Sequence, residues 1–377
     1  MGIKQLNKFL RNNCPDIYEE IHISEYSFKK VAIDISLYLC KFKTICGDRW
    51  LSAFINLIAC LRKYEVHCAF IYDTGAPPEK DAERKERAEH RAKLEEKVFK
   101  FDEALEKYNL TGEIDTILIE LYKKRTKDKG PPRLMKKFSN EIDMGFVEAA
   151  VEKMRGQILY ICPEDFQKTK DLFDILKVPY FNAPLEAETT CSDLCIQGLV
   201  DAVLSEDTDV LAYGTPIFLS KINTSDGTCT RINYPKMLES LKLNTDEFLD
   251  LCIMCGCDYN KNIFRVGPEK AYKYIQKYSS IEEISTNTTL DISILNHIRG
   301  RELFREYEKV SYKIKYCGTP DFQKLSEFIF KNNINCSVDG LKKSFVHQTT
   351  IVFENGEDND YVVENDTETL VFEKSTI

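Results

Sequence analysis

A chain of 377 residues with 43% hydrophobic and 30% charged side chains can bury a large core, in one elaborate domain or two. Its formal net charge of −9 is unevenly placed: from Glu354 onward eight acids face the single Lys374, so that stretch carries −7 and the rest −2. Met1-Gly2-Ile3-Lys4 opens no signal peptide, no apolar run approaches a membrane span, and fourteen scattered cysteines suit a reducing compartment, so an intracellular protein away from membranes is expected.

In chain order, Ile3 to Leu10 reads as a short amphipathic helix. Lys30-Val31-Ala32-Ile33-Asp34 follows as a brief apolar strand ending in an acid, and a helical pattern then runs through Trp50 to Tyr64. Cys68-Ala69-Phe70-Ile71-Tyr72-Asp73 repeats this grammar, and Ala202-Val203-Leu204-Ser205-Glu206-Asp207 gives it a third time. Strands that alternate with helices predict an α/β fold with a mostly parallel sheet, whose carboxyl ends share the edge at which ligands bind. Three strands each deliver an Asp there.

After Asp73, Gly75-Ala76-Pro77-Pro78 turns the chain into a long charged helix, Glu79 to about Tyr108. Lys80, Arg84, Arg87 and Arg91 fall at i, i+4, i+7 and i+11 on it, one basic stripe. A solvated face laced with pairs such as Glu83 and Arg87 gives the same pattern, but this one starts seven residues from Asp73. Residues 109–145 hold the basic run Lys123-Lys124-Arg125 to Arg133, broken by Gly130-Pro131-Pro132, which reads as a mobile phosphate-contacting loop or a nuclear-import signal, with a plain exposed loop as the equal alternative. Helices are expected over 146–155 and 164–176.

The densest stretch runs from Pro184 to Gly214. It sets Glu186-x-Glu188 and Asp207-x-Asp209 around an apolar helix and strand, and four carboxylates brought together repel one another unless hard divalent cations sit among them. A helix entry after Pro184 lets Glu186 and Glu188 reach one site. Hairpin strands, 217–222 and 228–232, and a helix over 246–254 follow. Cys252, Cys255 and Cys257 read as core residues, because no second cysteine pair completes a zinc site. Asp258 adds another acid, and Val266-Gly267-Pro268 opens a helix with Lys270 and Lys273, its first N–H groups free for phosphate. From about residue 322 an acidic, Asn-rich end suggests a loosely attached tail.

These residues resemble a specific family. MGI at the start, VAIDIS, FIYDTGAPP, PLEAET, SEDTDVLAYG, LCIMCGCDY and VGPEKA stand in the order of the flap endonuclease family of XPG-type, structure-specific 5′ nucleases, over residues 1 to about 285. The resemblance implies a PIN-like core with a helical arch and a helix-two-turn-helix DNA-binding module. It divides the chain into a nuclease region (1–108), a basic arch or cap insertion (109–145), a second nuclease region (146–255), the helix-two-turn-helix and following helices (256–320) and the tail (321–377).

It also implies two Mg²⁺ ions, for which Mn²⁺ can substitute. Asp34, Asp73, Glu186 and Glu188 would surround one, and Asp207, Asp209 and Asp258 the other. Lys80 and Arg87 would hold and polarise the scissile phosphate, while Gly2, Arg84, Arg91, Gly256, Gly267, Lys270 and Lys273 would lie along the DNA. Where the family has Gly-x-Gly-Pro, with a monovalent cation at that turn, this chain has Arg265-Val266-Gly267-Pro268. Cys40 stands where the family presents an aromatic for base stacking, with Tyr38 as the substitute. The interval from Asp73 to Glu186 is longer than in cellular members, which suits a viral member with an enlarged cap. Gln348 to Phe353 begins like a sliding-clamp motif and stops short.

The expected activity is therefore Mg²⁺-dependent hydrolysis of DNA at 5′ flaps or junctions, by a monomer acting in the nucleus or at a viral replication site. A 5′ to 3′ exonuclease on the same core, a PIN-like RNA nuclease and a non-catalytic DNA-binding scaffold are the alternatives. The scaffold would need a broken carboxylate set, and all seven acids are present.

Overall fold

The structure is a computed structural model that describes residues 2–129, 142–158 and 160–345, with three further strands at 349–353, 361–365 and 368–371. Its centre is a seven-stranded sheet of β1 (Glu19–His22), β2 (Lys30–Asp34), β3 (His67–Tyr72), β4 (Tyr180–Asn182), β5 (Ala202–Leu204), β6 (Ile217–Ser220) and β7 (Thr228–Asn233). The order is β1-β7-β6-β5-β2-β3-β4. Strands β6, β5, β2, β3 and β4 run parallel, and β7 pairs antiparallel with both β6 and β1. This is the mostly parallel sheet expected. Strand β2 lies between β5 and β3, so the winding reverses there and its carboxyl end is a switch point, where α/β sheets open a crevice.

Helices α1 (Leu6–Asn13), α2 (Ile35–Cys46), α3 (Trp50–Lys63), α4 (Asp81–Thr111), α5 (Thr116–Lys129), α6 (Met144–Arg155) and α7 (Pro163–Leu176) precede β4. They are followed by α8 (Ala187–Ile196), α9 (Asp209–Ala212), α10 (Tyr234–Leu241), α11 (Thr245–Cys255), α12 (Pro268–Tyr278), α13 (Ile281–Asn287), α14 (His297–Arg305), α15 (Phe322–Lys331) and α16 (Val338–Phe345). Successive strand residues point to opposite faces. Val31, Ile33 and Phe70 pack against α2, α3 and α7, while Ala32, Ala69 and Val203 face α8 and α11. Phe70 stacks on Phe173 of α7 with ring centroids 4.2 Å apart.

The first helix starts at Leu6, later than its periodicity suggests, with Ile3 buried just ahead of it. The stretch Ile35–Lys63 proves long and apolar enough to cross a membrane by length and composition, contrary to expectation. A tight turn at Gly47–Arg49 splits it into α2 and α3, and their apolar residues line the core under the sheet.

Two regions differ from the sequence reading. The basic run from Lys123 to Lys129 belongs to helix α5, because Leu118 and Leu121 pack with Val98 and Phe101 of α4 and Val147 and Val151 of α6. The arch thus has a small apolar core of its own, while Gly130 to Arg133 lie outside the described residues. Residues 322–345 are no loose tail either: Leu325, Phe328 and Ile329 of α15 and Leu341 and Phe345 of α16 join the core beneath α3 and α7. Beyond them β8 (Thr349–Phe353), β9 (Tyr361–Asn365) and β10 (Glu368–Val371) form a small antiparallel sheet in the order β10-β9-β8. Gln348 and most of the acidic end are outside the described residues.

A buried ion pair ties together the helices behind the site. Asp250 of α11 is 2% exposed and takes Arg301 Nε at 2.7 Å and Nη2 at 2.6 Å, with the Ile281 N–H at 3.1 Å. Arg301 Nη1 also donates to Glu282 at 2.6 Å, which holds the Glu282 carboxyl down to about 2. Arg301→Ala strands the Asp250 charge and should destabilise the protein by about 3 kcal/mol. Denaturant unfolding measures this, and a loss below about 1 kcal/mol would mean that water reaches Asp250.

Candidate active site

Five separate segments bring the acids to one edge of the sheet. Asp34 ends β2, Asp73 follows β3, Glu186 and Glu188 enter α8, Asp207 follows β5, Asp209 opens α9, and Asp258 lies just past α11. Asp34 Oδ1 accepts the Ser36 and Leu37 N–H groups at 2.7 and 3.3 Å, so it caps α2 with Asp73 and Glu188 as its charged neighbours. Asp73 accepts the Ala187 N–H at 2.7 Å and the Ser36 hydroxyl, which joins the ends of β2 and β3 to the start of α8. Asp207 is fixed by its own loop, its N–H on Ser205 Oγ and its Oδ1 accepting the Asp209 N–H, both at 3.1 Å.

Glu188, Asp207 and Asp209 each bring one carboxylate oxygen within 4.8 Å of the others. Lys80 Nζ sits among their neighbours, 2.7 Å from Glu186, 2.8 Å from Glu188 and 3.4 Å from Asp258. One ammonium cannot neutralise this cluster. Burial, then Asp73 and Glu188, push the Asp34 carboxyl well up, and burial with Asp207, Glu188 and Asp258 does the same to Asp209. Burial raises Asp207 too, and Glu188 is pushed up to about 8 by burial, against the pull of Lys80. Among the described residues, Asp209 Oδ1 is buried without a hydrogen-bond partner. A buried, orphaned carboxylate oxygen beside several reluctant carboxylates suits hard divalent cations, which take oxygen ligands and favour the ionised form.

The cysteines behind Asp258 do not compete for metal. Cys252, Cys255 and Cys257 are buried core thiols, and the group among the described residues whose ligand atoms converge within 4.8 Å is Glu188, Asp207 and Asp209, with no cysteine in it.

Gly2 packs directly against the acids. Its φ is +83°, and a Cβ there would lie 1.9 Å from Asp207 Oδ1 and 2.8 Å from Asp209 Oδ1. Only glycine accommodates both the left-handed backbone and that approach. Gly2→Ala should cut cleavage about 100-fold by displacing the Asp207 carboxylate, with little change in melting temperature. Wild-type rates from this variant would show that the N-terminal segment does not hold its place beside Asp207.

A cleft of about 1040 Å³ opens beside the acids. Gly2, Cys40, Arg87, Arg91, Asp258 and Lys261 help to line it. Arg87 reaches Asp258 at 3.3 Å and pairs with Glu83, and Arg91 lies over the Tyr160 ring at 5.7 Å. The basic stripe therefore divides: Lys80 turns into the acids, Arg87 and Arg91 line the cleft, and Arg84 is exposed and absent from its lining. Lys270 and Lys273 are exposed on α12, whose first turn follows Gly267. Gly256, at φ +89°, packs against Asn262, whereas a Cβ at Gly267 would meet open space.

Tyr38 cannot be the stacking aromatic. It is fully buried against Phe42, and Cys40 alone of the two lines the cleft. The sequence reading also missed Tyr259 and Tyr213. Tyr259 donates to Glu186 Oε2 at 2.9 Å, its hydroxyl lies 2.8 Å from that of Tyr213, and Lys80 sits 5.3 Å above its ring. Both tyrosines stand inside the motifs that carry the acids, GCDY and DVLAYG, and that adjacency was the available signal.

Residues 1–94 match the XPG N-terminal domain and residues 177–258 the XPG I-region. The chain is 32% identical over 386 residues to a probable RAD2-like endonuclease of Invertebrate iridescent virus 6, across 92% of each chain. It is 29% identical to flap endonuclease 1-A of Oryza sativa subsp. japonica, across 88% of this chain and 83% of that one. The catalytic core of Rad2 in complex with DNA substrate shares the fold, with a TM-score of 0.61 at 14% identity over 91% of this chain and 99% of the other. Seven acids converging on one sheet edge, in the segments those two regions cover, agree with the sequence kinship, and the chain belongs to the XPG family of RAD2-like endonucleases.

Proposed function

We propose that this protein hydrolyses DNA phosphodiester bonds at 5′ flaps or other single-strand to double-strand junctions, in replication, repair or recombination. The observation that carries the reading is the convergence of seven carboxylates from five segments beside a cleft rimmed by Arg87 and Arg91. The names of its relatives support it: one is a flap endonuclease, and the Rad2 core shares its fold while bound to DNA substrate.

Two Mg²⁺ ions would be held by Asp34, Asp73, Glu186 and Glu188 on one side and by Asp207, Asp209 and Asp258 on the other. When bound they supply Lewis-acid stabilisation of the phosphate and a more acidic water. The protein's own groups do the rest. The capping N–H groups at Asp34 and the Ala187 N–H at Asp73 fix those carboxylates, and Tyr259 orients Glu186. Arg87, 52% exposed and in the cleft wall, can donate to a phosphate oxygen while keeping its place near Asp258. Lys80 must leave Glu186 and Glu188 to do the same, so its ammonium exchanges carboxylate partners for a phosphate as charge develops there. Backbone contacts from Lys270 and Lys273 would position the duplex without reading its sequence.

A panel of 5′-labelled flaps, nicks, gaps, bubbles and recessed duplex ends tests the reading. Release of the intact flap strand in Mg²⁺ is expected, including from flaps with blocked 5′ ends. Mononucleotide release from recessed ends alone would instead make the protein a 5′ to 3′ exonuclease, and cleavage of all-RNA flaps alone would make it an RNA nuclease.

A further inference from the structure

The family resemblance implies a monovalent cation in the turn between α11 and α12, and the residues of that turn do not fit one. A cation there must be coordinated by backbone carbonyl oxygens with free lone pairs. The Ile263 carbonyl has none to spare: it accepts the Val266 N–H at 3.0 Å and Asn262 Nδ2 at 3.2 Å. The Val266 carbonyl accepts the same Asn262 Nδ2 at 3.1 Å. The carboxamide thus points its two N–H bonds, the positive edge of its dipole, at the place where the carbonyls converge.

Asn262 is held there from behind. A Cβ on Gly256 would lie 2.9 Å from the Asn262 backbone nitrogen and 3.2 Å from its Cβ, so only glycine, at φ +89°, lets the two segments pack. The Gly256 carbonyl in turn accepts the Lys4 N–H at 2.9 Å, which ties the turn to the N-terminal segment beside the acids. Arg265 adopts φ +61°, a left-handed conformation that glycine takes more readily, and the bond from Val266 N–H to Ile263 closes the turn around it.

We propose that the Asn262 side-chain amide stands in place of the monovalent cation, so that the turn and the duplex grip of α12 do not depend on which monovalent cation is present. The grip on DNA rests on the proposed function; the closure of the turn does not. The opposite orientation of the amide would aim Oδ1 at both carbonyls, and three converging oxygens would then demand a cation.

The full-length protein separates the two. Its melting temperature is measured in KCl, NaCl and tetramethylammonium chloride at one ionic strength, and its affinity for a flap duplex is measured in Ca²⁺ under the same salts. The wild type is expected to melt within about 1 °C and bind within about two-fold across all three salts. Asn262→Asp places a carboxylate against the carbonyls and should acquire a need for K⁺, with a higher melting temperature and about ten-fold tighter binding in KCl than in tetramethylammonium chloride. A saturable rise in wild-type melting temperature with K⁺ would overturn the proposal even if Asn262→Asp fails to fold. Loss of DNA binding in every salt would count against the nuclease reading, and the melting comparison would still decide the role of Asn262.

Discussion

Asp207→Ala is expected to abolish cleavage, lowering the rate at least about 1,000-fold, while flap binding in Ca²⁺ stays within a few-fold of wild type. The asymmetry follows from position. Asp207 is 9% exposed and lies among Glu188, Asp209 and Gly2, and it does not line the cleft that Arg87 and Arg91 rim. On the proposed function its removal would take away a cation ligand while relieving like-charge repulsion, so the fold should lose little. Gel-shift and single-turnover assays on one flap substrate measure both halves. Normal turnover would remove the acid cluster from the chemistry, and lost binding with lost turnover would make Asp207 a structural residue.

Lys80→Met should cost about 100-fold in turnover at pH 7 and clearly less at pH 9. Lys80 is buried, and burial opposes its charge, but Glu188, Glu186 and Asp258 outweigh that and hold the ammonium protonated. In the other direction, burial drives Glu188 up to about 8 and Lys80 is the group that restrains it. Without Lys80 the metal-free carboxyl moves higher still, so protons compete more strongly with the cation for Glu188 at pH 7, and raising the pH relieves that competition. A pH-rate profile shows the result as an acid limb displaced upward. Equal losses at pH 7 and pH 9 would confine Lys80 to phosphate contact, and no loss at either would exclude it from the site.

The sequence made the acids legible because each sits at a strand or helix boundary. Asp34, Asp73 and Asp207 all follow short apolar runs, and Pro184 announces the helix that carries Glu186 and Glu188. The mostly parallel sheet follows from the same runs. What stayed hidden depends on contacts between distant segments. Leu118 and Leu121 of α5 lie among lysines, so their packing against Val98 and Val147 could not be seen without α4 and α6 beside them. The apolar periodicity of Leu325, Phe328 and Ile329 is plain only once α7 supplies a surface. Tyr38 has the composition of a stacking residue and the position of a core one. The pairing of Asn262 with two carbonyls, and the approach of Gly2 to Asp207, depend on how loops close and leave no periodic trace.

The most direct test of the account is an anomalous difference map from crystals of the protein grown or soaked with Mn²⁺. Two peaks are predicted, one ringed by Asp34, Asp73, Glu186 and Glu188 and the other by Asp207, Asp209 and Asp258. A map without a peak in either ring of acids, or with peaks only at exposed acids elsewhere, would contradict it.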